Sequence, residues 1–273
     1  MSKNLDRLLD VMARLRDPKS GCPWDLEQNF KTIAPYTLEE TYEVVEAIEA
    51  GDPKGMADEL GDLLFQVVFH AQMGKEAGLF TFDEIAGHVA DKMIERHPHV
   101  FGDRDAKTAE AVLTNWEADK AKKREAAARA ENRPASVLDG VTTSLPAITR
   151  SVKLQNRAAR VKFDWTDARD IIAKIKEETA ELEAELDAKS GKDAVEDEFG
   201  DLFFALVNLA RRLEVDPESA LRRTNRKFER RFREVEKRIA SQGRNMADAS
   251  LDEMEKIWVD IKTEEKKART NGL

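Results

Sequence analysis

Cysteine is almost absent from this 273-residue chain: Cys22 is the one thiol. That excludes an intrachain disulfide and a thiolate-held metal, and it fits a reducing compartment. Histidine is scarce as well. His70, His88, His97 and His99 all lie in the first half, and none stands three residues after a glutamate. The paired Glu-x-x-His motifs of a di-iron carboxylate bundle are therefore missing. His97 and His99 flank Pro98 and read as turn or capping residues. Cys22 sits in a proline-flanked loop with no histidine nearby, so nucleophilic catalysis has no support. There is no glycine-rich phosphate loop, which leaves side chains to hold any phosphate. Long apolar runs are lacking too. The longest are Leu63 to Val68, interrupted by Gln66, and Leu202 to Val207, far short of a membrane span. The charged, amphipathic start Met1-Ser-Lys-Asn-Leu-Asp-Arg is no signal peptide, and the expectation is a cytoplasmic protein. With 45 basic against 54 acidic residues and a net charge of −9, a general footprint for nucleic acid or an anionic membrane is absent. A polyanion would have to meet a local basic patch.

What is present is helical periodicity. Leu5, Leu8, Leu9, Met12 and Leu15 recur at helix spacing before a break at Asp17-Pro18. Thr37 and Glu40, after Pro35, form a capping-box pattern that predicts a helix to about Ala50. Gly51-Asp52-Pro53 turns the chain into a helix over 56–74 with a core face of Leu60, Leu63, Leu64, Val67 and Val68. Thr81 and Glu84 repeat the capping pattern and start a helix ending at His97-Pro98. An Ala, Glu and Lys/Arg-rich segment from about Ala109 to Ala130 predicts an exposed helix, and Asn132-Arg-Pro134 breaks it.

The second half repeats the first. Glu39, Glu40 and Glu43 reappear 138 residues later as Glu177, Glu178 and Glu181, and Glu59-Leu-Gly-Asp62 reappears after 139 as Glu198-Phe-Gly-Asp201. Trp24 finds Trp165, Trp116 and Lys120 find Trp258 and Lys262, and Lys92 and Arg96 find Lys227 and Arg231. Ordered features at nearly constant offset mark a duplication. The expected fold is all-α, two tandem related helical bundles, with residues 1–130 and 141–273 as domains and 131–140 as linker.

Glu177, Glu178 and Glu181 share one helix face, and Glu198 and Asp201 share a face of the next helix. An isolated Glu-Glu-x-x-Glu is usually a solvated surface. Here a second acidic pair runs into the apolar segment Leu202-Phe203-Phe204-Ala205-Leu206-Val207, expected to be largely buried, and the whole pattern occurs twice. Carboxylates gathered that closely raise one another's pKa or bind a cation, and a hard cation such as Mg²⁺, with Mn²⁺ as a substitute, suits oxygen donors in phosphate chemistry. Lys174 stands one turn before Glu178. Lys227 and Arg231 point one way from a helix beginning near Glu218, though arginine-rich helices are commonly just solvated. Trp258 and Lys262, four apart, offer a base-stacking ring beside a cation; packing alone would also explain Trp258.

Taken in order, Glu39-Glu-x-x-Glu43 with Glu59-x-x-Asp62, then Glu177-Glu-x-x-Glu181 with Glu198-x-x-Asp201, resemble the signature of the MazG-type nucleoside triphosphate pyrophosphohydrolases. So do Gly21-Cys-Pro-Trp-Asp25, Arg96-His-Pro-His-Val-Phe101 and Lys227-Phe-Glu-Arg-Arg-Phe232. The resemblance implies an all-α fold, Mg²⁺ dependence, homodimers, and hydrolysis of NTPs or dNTPs to the monophosphate and pyrophosphate. It makes Glu178, Glu181, Glu198 and Asp201 metal ligands and Lys227, Arg231, Trp258 and Lys262 nucleotide contacts. Lys174 joins the substrate set, and Glu177 or Glu178 is the expected proton acceptor. Glu40, Glu43, Glu59 and Asp62 are the matching metal site of the first repeat. The other reading of the same residues is a non-catalytic scaffold or sensor binding Mg²⁺-nucleotide.

The repeats are not symmetric in sequence. An apolar lead-in of Ile171, Ile172 and Ile175 starts the second-repeat helix well before Glu178, whereas Glu40 reads as the capping partner of Thr37. Lys174 corresponds to Tyr36, and the cationic helix of the first repeat stops at Pro98. These differences place catalysis in the second repeat, with the first degenerate, regulatory or dimer-forming.

Overall fold

The computed structural model describes residues 3–102 and 108–271; Met1 and Ser2 of the amphipathic start lie outside them. Among the described residues the regular structure is helical throughout, as the all-α expectation requires. The chain divides into two compact units between Glu117 and Ala118.

The first unit opens with α1 (Lys3–Leu15), α2 (Pro23–Glu27) and α3 (Phe30–Ala50). Met12 of α1, Ile33 of α3, and Val68, Phe69 and Met73 of α4 (Pro53–Glu76) form its buried core, with Leu8, Leu9, Phe30 and Phe65 packed around them. The Arg16 guanidinium ties the start of the unit to its centre. It pairs with Glu76 at 2.7 Å and donates to the backbone carbonyls of Asp25 and Gln28. The short α3–α4 connection makes these two long helices antiparallel neighbours. Gly51 ends α3 in the left-handed conformation at φ 67°, which glycine adopts without steric penalty. Asp52 then caps α4, accepting from the Lys54 N–H at 3.1 Å, with Pro53 at the first helical position.

Two sequence expectations fail here. The first concerns the start of α3, which is seven residues before Thr37. The Asn29 side chain accepts from the N–H groups of Lys31 and Thr32, and Thr32 Oγ1 accepts from the Asn29 N–H at 2.9 Å. That reciprocal cap, with Ile33 buried beneath it, carries the helix through Pro35, whose missing N–H forfeits only one bond. Glu40 is thus the eleventh residue of α3 rather than a capping partner. The second concerns α4: of the expected core face Val68 is fully buried and Leu63 and Val67 are half-buried, but Leu60 and Leu64 are exposed, and burial runs on through Phe69, Ala71, Met73 and Gly74.

Gly74 is a tight spot. A Cβ there would come within 2.4 Å of the Phe80 ring, which packs on Phe30, which stacks in turn on His70 at 5.9 Å. The capping box of α5 (Phe82–Arg96) forms as expected: Thr81 Oγ1 accepts from the Glu84 N–H, and Glu84 accepts from the Thr81 N–H at 2.7 Å. At its other end His97 Nδ1 lies 2.6 Å from the Met93 carbonyl, and Trp116 Nε1 donates to the Arg96 carbonyl. The turn role read for His97 is met. The short α6 (Pro98–Phe101) and α7 (Ala109–Ala130) follow, and the division between the units falls inside α7.

In the second unit, α8 (Ala147–Arg160), α9 (Ala168–Asp187) and α10 (Lys192–Arg212) pack together, and α11 (Pro217–Ser241) packs against α12 (Leu251–Asn271). Val235, Ile239 and Ile261 form the α11–α12 core, joined by Ile257 and Trp258. Ile171 is fully buried, as is its counterpart Ile33 in the first unit. Gln155 of α8 donates to the Phe204 carbonyl of α10 at 2.9 Å, and Arg211 donates to the buried Asn208. The expected burial of the whole 202–207 segment is not met. Ala205 and Val207 are buried, but Phe203, Phe204 and Leu206 are 42%, 42% and 43% exposed. The reason is one-sidedness: α8 and α9 cover one face of α10, and the apolar residues extend around it.

Candidate metal centre

Glu178 is the eleventh residue of α9, as Glu40 is of α3, because Asp167 caps α9 from the Arg169 N–H and the helix is set from there. The next helix of each repeat returns antiparallel and brings its own acids back alongside. In the second repeat, carboxylate oxygens of Glu178, Glu198 and Asp201 come within 4.8 Å of one another. In the first, the trio that does so is Glu40, Glu43 and Glu59. Glu181 and Asp62 fall outside these trios, yet they are near enough to act electrostatically. The pKa of Glu198 is raised by desolvation and then by the charges of Glu181, Glu178 and Asp201. Glu40 is raised by desolvation, then by Asp62 and Glu43, and Glu59 by desolvation, then by Glu43 and Asp62. Of the eight carboxylates named as ligands from the sequence, six are thus brought together in two trios, while Glu181 and Asp62 act on them electrostatically from outside.

Such donor sets fit a hard divalent cation. They consist of oxygens only, they include no histidine, and desolvation followed by neighbouring carboxylates raises the pKa of Glu40, Glu59 and Glu198 in a way a bound cation reverses.

Lys174 marks the main difference between the clusters. Its Nζ lies 2.7 Å from both Glu177 and Glu178, and these two hydrogen bonds raise its own pKa. Glu178 is only 5% exposed, so the pair neutralises a charge that burial would otherwise penalise. In the first repeat Tyr36 holds the corresponding position and packs edge-on against Trp24, with ring centroids 5.8 Å apart.

The other proposed substrate residues collect on the α11–α12 pair. Arg231 reaches over the Trp258 ring at 5.7 Å and pairs with Glu265 at 2.8 Å, while Trp258 also packs on Phe228 at 5.4 Å. Trp258 thus packs on α11 with the Arg231 guanidinium over its ring. Lys227 is half-buried on α11, and Lys262 is exposed on α12. The interactions described for Arg231 and Trp258 run along this pair and not toward the α9–α10 acids. Sequence reasoning missed one polar neighbour of a cluster, Gln66, buried on α4 with its Nε2 donating to Glu40 at 3.5 Å. Its spacing of four from Asp62 was the available signal.

Among the described residues the architecture is that of a tandem all-helical protein in which two antiparallel helix pairs each bring carboxylates together. The MazG nucleotide pyrophosphohydrolase domain matches it twice, over residues 28–101 and 167–236. The chain is 49% identical over 262 residues to a nucleoside triphosphate pyrophosphohydrolase of Escherichia coli (strain K12), covering 96% of this chain and 98% of that one. It is 38% identical over 253 residues to a nucleoside triphosphate pyrophosphohydrolase/pyrophosphatase MazG of Thermotoga maritima, covering 93% of each. A nucleoside triphosphate pyrophosphohydrolase of Mycobacterium tuberculosis is 35% identical over 161 residues, 58% of this chain and 47% of that one. The chain belongs to the MazG family, in a form with two repeats. Among the described residues, no helix is long and apolar enough to cross a membrane.

Proposed function

We propose that the chain hydrolyses nucleoside triphosphates to the monophosphate and pyrophosphate, with Mg²⁺ as cofactor and the second repeat as the working site. The observation that carries the reading is the trio Glu178, Glu198 and Asp201, with oxygens within 4.8 Å, in a chain of this family.

Glu178, Glu181, Glu198 and Asp201 would hold the cation. When bound, it would polarise the phosphate and neutralise charge on the pyrophosphate leaving group. The chain's own groups do the rest. Glu177, exposed beside Lys174, or Glu178 would accept a proton from the water that attacks the α-phosphorus. Lys174 pairs with the buried Glu178 at 2.7 Å and would offer its positive charge to the phosphate chain. Lys227 and Arg231 would stabilise negative charge developing on that chain, and Trp258 with Lys262 would face the base.

The choice of repeat no longer leans on the helix start, since Glu40 and Glu178 occupy the same place in their helices. It rests on Lys174 against Tyr36 and on the unbroken α11 against an α5 that ends at Arg96. A homodimer is part of the proposal, supported by exposed apolar side chains on the helices that carry the acids: Leu60 and Leu64 on α4, and Phe199, Phe203, Phe204 and Leu206 on α10. The cytoplasm is the proposed location.

The test is pyrophosphate release from a panel of NTPs and dNTPs with and without Mg²⁺. Release that depends on Mg²⁺, with label from ¹⁸O-water entering the monophosphate, is expected. Binding without turnover would leave the scaffold reading, and label in the pyrophosphate would overturn attack at the α-phosphorus.

A further inference from the structure

Gln66 lies on α4, one turn beyond Asp62, and is 7% exposed. Its amide nitrogen is turned to the first repeat's acidic cluster, donating to Glu40 Oε1 at 3.5 Å. Its amide oxygen is buried and has no hydrogen-bond donor. A buried carbonyl left without a donor is destabilising, so the side chain carries an unused acceptor at the edge of a site built of acceptors. The same register in the second repeat holds Ala205, which has no oxygen to offer. A carboxamide suits both states of such a site. Its NH₂ meets a carboxylate when no cation is present, and a half-turn about the terminal torsion presents the oxygen instead.

We propose that Gln66 is a cation ligand peculiar to the first repeat, its carboxamide oxygen joining Glu40, Glu43 and Glu59 around a divalent ion. The inference rests on reading both acidic clusters as divalent-cation sites. Its consequence is a division of labour. Each protein oxygen added to a hard cation displaces a water from the coordination shell, and a site that turns over substrate needs open positions for water and phosphate. The first repeat, with one more protein oxygen and no lysine at the Tyr36 position, retains its ion. The second, with Ala205 and Lys174, leaves room for chemistry. Gln66 is thus the residue that sets cation retention apart from catalysis within one duplicated frame.

The experiment counts bound Mn²⁺ by electron paramagnetic resonance on the full chain. Glu198→Gln and Asp201→Asn are introduced together to silence the second site, so the remaining ion belongs to the first repeat. One Mn²⁺ per chain is expected. Adding Gln66→Met, nearly the same shape without the acceptor, should weaken it by about tenfold or more, with helicity unchanged by circular dichroism. Gln66→Ala serves as a second variant if the thioether misfolds. Undiminished Mn²⁺ affinity in a folded Gln66 variant would overturn the ligand assignment while sparing the cation reading. A silenced chain that binds no Mn²⁺, when the unaltered chain binds it, would overturn the first-repeat site altogether. An unaltered chain that binds none would overturn the shared reading on which both proposals stand.

Discussion

Glu40 and Glu178 sit at the same place in their helices, face the same returning acids and come from the same motif, yet their neighbours treat them differently. Glu178 is buried against Lys174, which cancels its charge. Glu40 is partly buried, has Tyr36 where the lysine would be, and is met by the uncharged Gln66. Its pKa is raised by desolvation and by Asp62 and Glu43. Duplication preserved the frame, and divergence changed how the frame's negative charge is balanced. An internal cation is one answer and an internal amide is the other. On the proposed division of roles, a working site differs from a retained copy in the residues beside the carboxylates more than in the carboxylates themselves.

The comparison can be broken most sharply at the acids. Glu198→Gln is expected to lower kcat/KM on the order of 10³-fold, about 4 kcal/mol of transition-state stabilisation, while Glu59→Gln at the matching position leaves most activity in place. Equal losses in steady-state assays would mean that the two repeats share the chemistry.

Next comes the frame itself. Ile33 and Ile171 are matching, fully buried residues, and truncating either to alanine should cost about 3 kcal/mol in denaturant unfolding. A large inequality would show that the two hairpins are not packed alike.

A smaller effect should follow from Lys174→Met. Loss of the cation beside the substrate predicts about a tenfold fall in kcat/KM, near 1.4 kcal/mol, whereas Tyr36→Met in the first repeat should leave nucleotide turnover unchanged.

The smallest expected effect is a shift in melting temperature of about 2–4 °C on adding Mg²⁺ at neutral pH, equivalent to roughly 1 kcal/mol. The sign follows from Glu198, Glu40 and Glu59. Their pKa values are raised in the folded protein, so folding binds their protons more tightly, and stability is lost as pH rises through those raised values. A cation offsets that loss at neutral pH. As pH falls through the raised values protons compete with it, and the Mg²⁺-induced shift in a melting scan should vanish. A shift that persists in acid would place the stabilising ion elsewhere.

These contrasts also show what could be read from the residues alone. The duplication, the all-helical class and the convergence of the acids follow from spacing, because a helix fixes which residues share a face. The Thr81–Glu84 cap was legible for the same reason. The start of α3 was not, because Pro35 and the Thr37–Glu40 spacing imitate a boundary that the Asn29–Thr32 cap had already set upstream. The burial of 202–207 was overestimated because apolar content says how much surface seeks cover and not how much one chain supplies. Gln66 stood in plain view as the interruption of an apolar run, but its meaning depended on the oxygen left unpaired, which is a fact of three dimensions.

Gly74 offers a last consequence. A methyl group there would strike the Phe80 ring, which leans on Phe30, which lies flat on His70, whose Nε2 is 3.1 Å from Thr37 Oγ1, one turn before Glu40. The position of an acidic wall is thus relayed through a row of touching rings from a residue with no side chain. Variation at a remote, chemically silent position would reach the first repeat's acids as a mechanical displacement, whereas the second repeat carries a half-exposed Leu213 in that register.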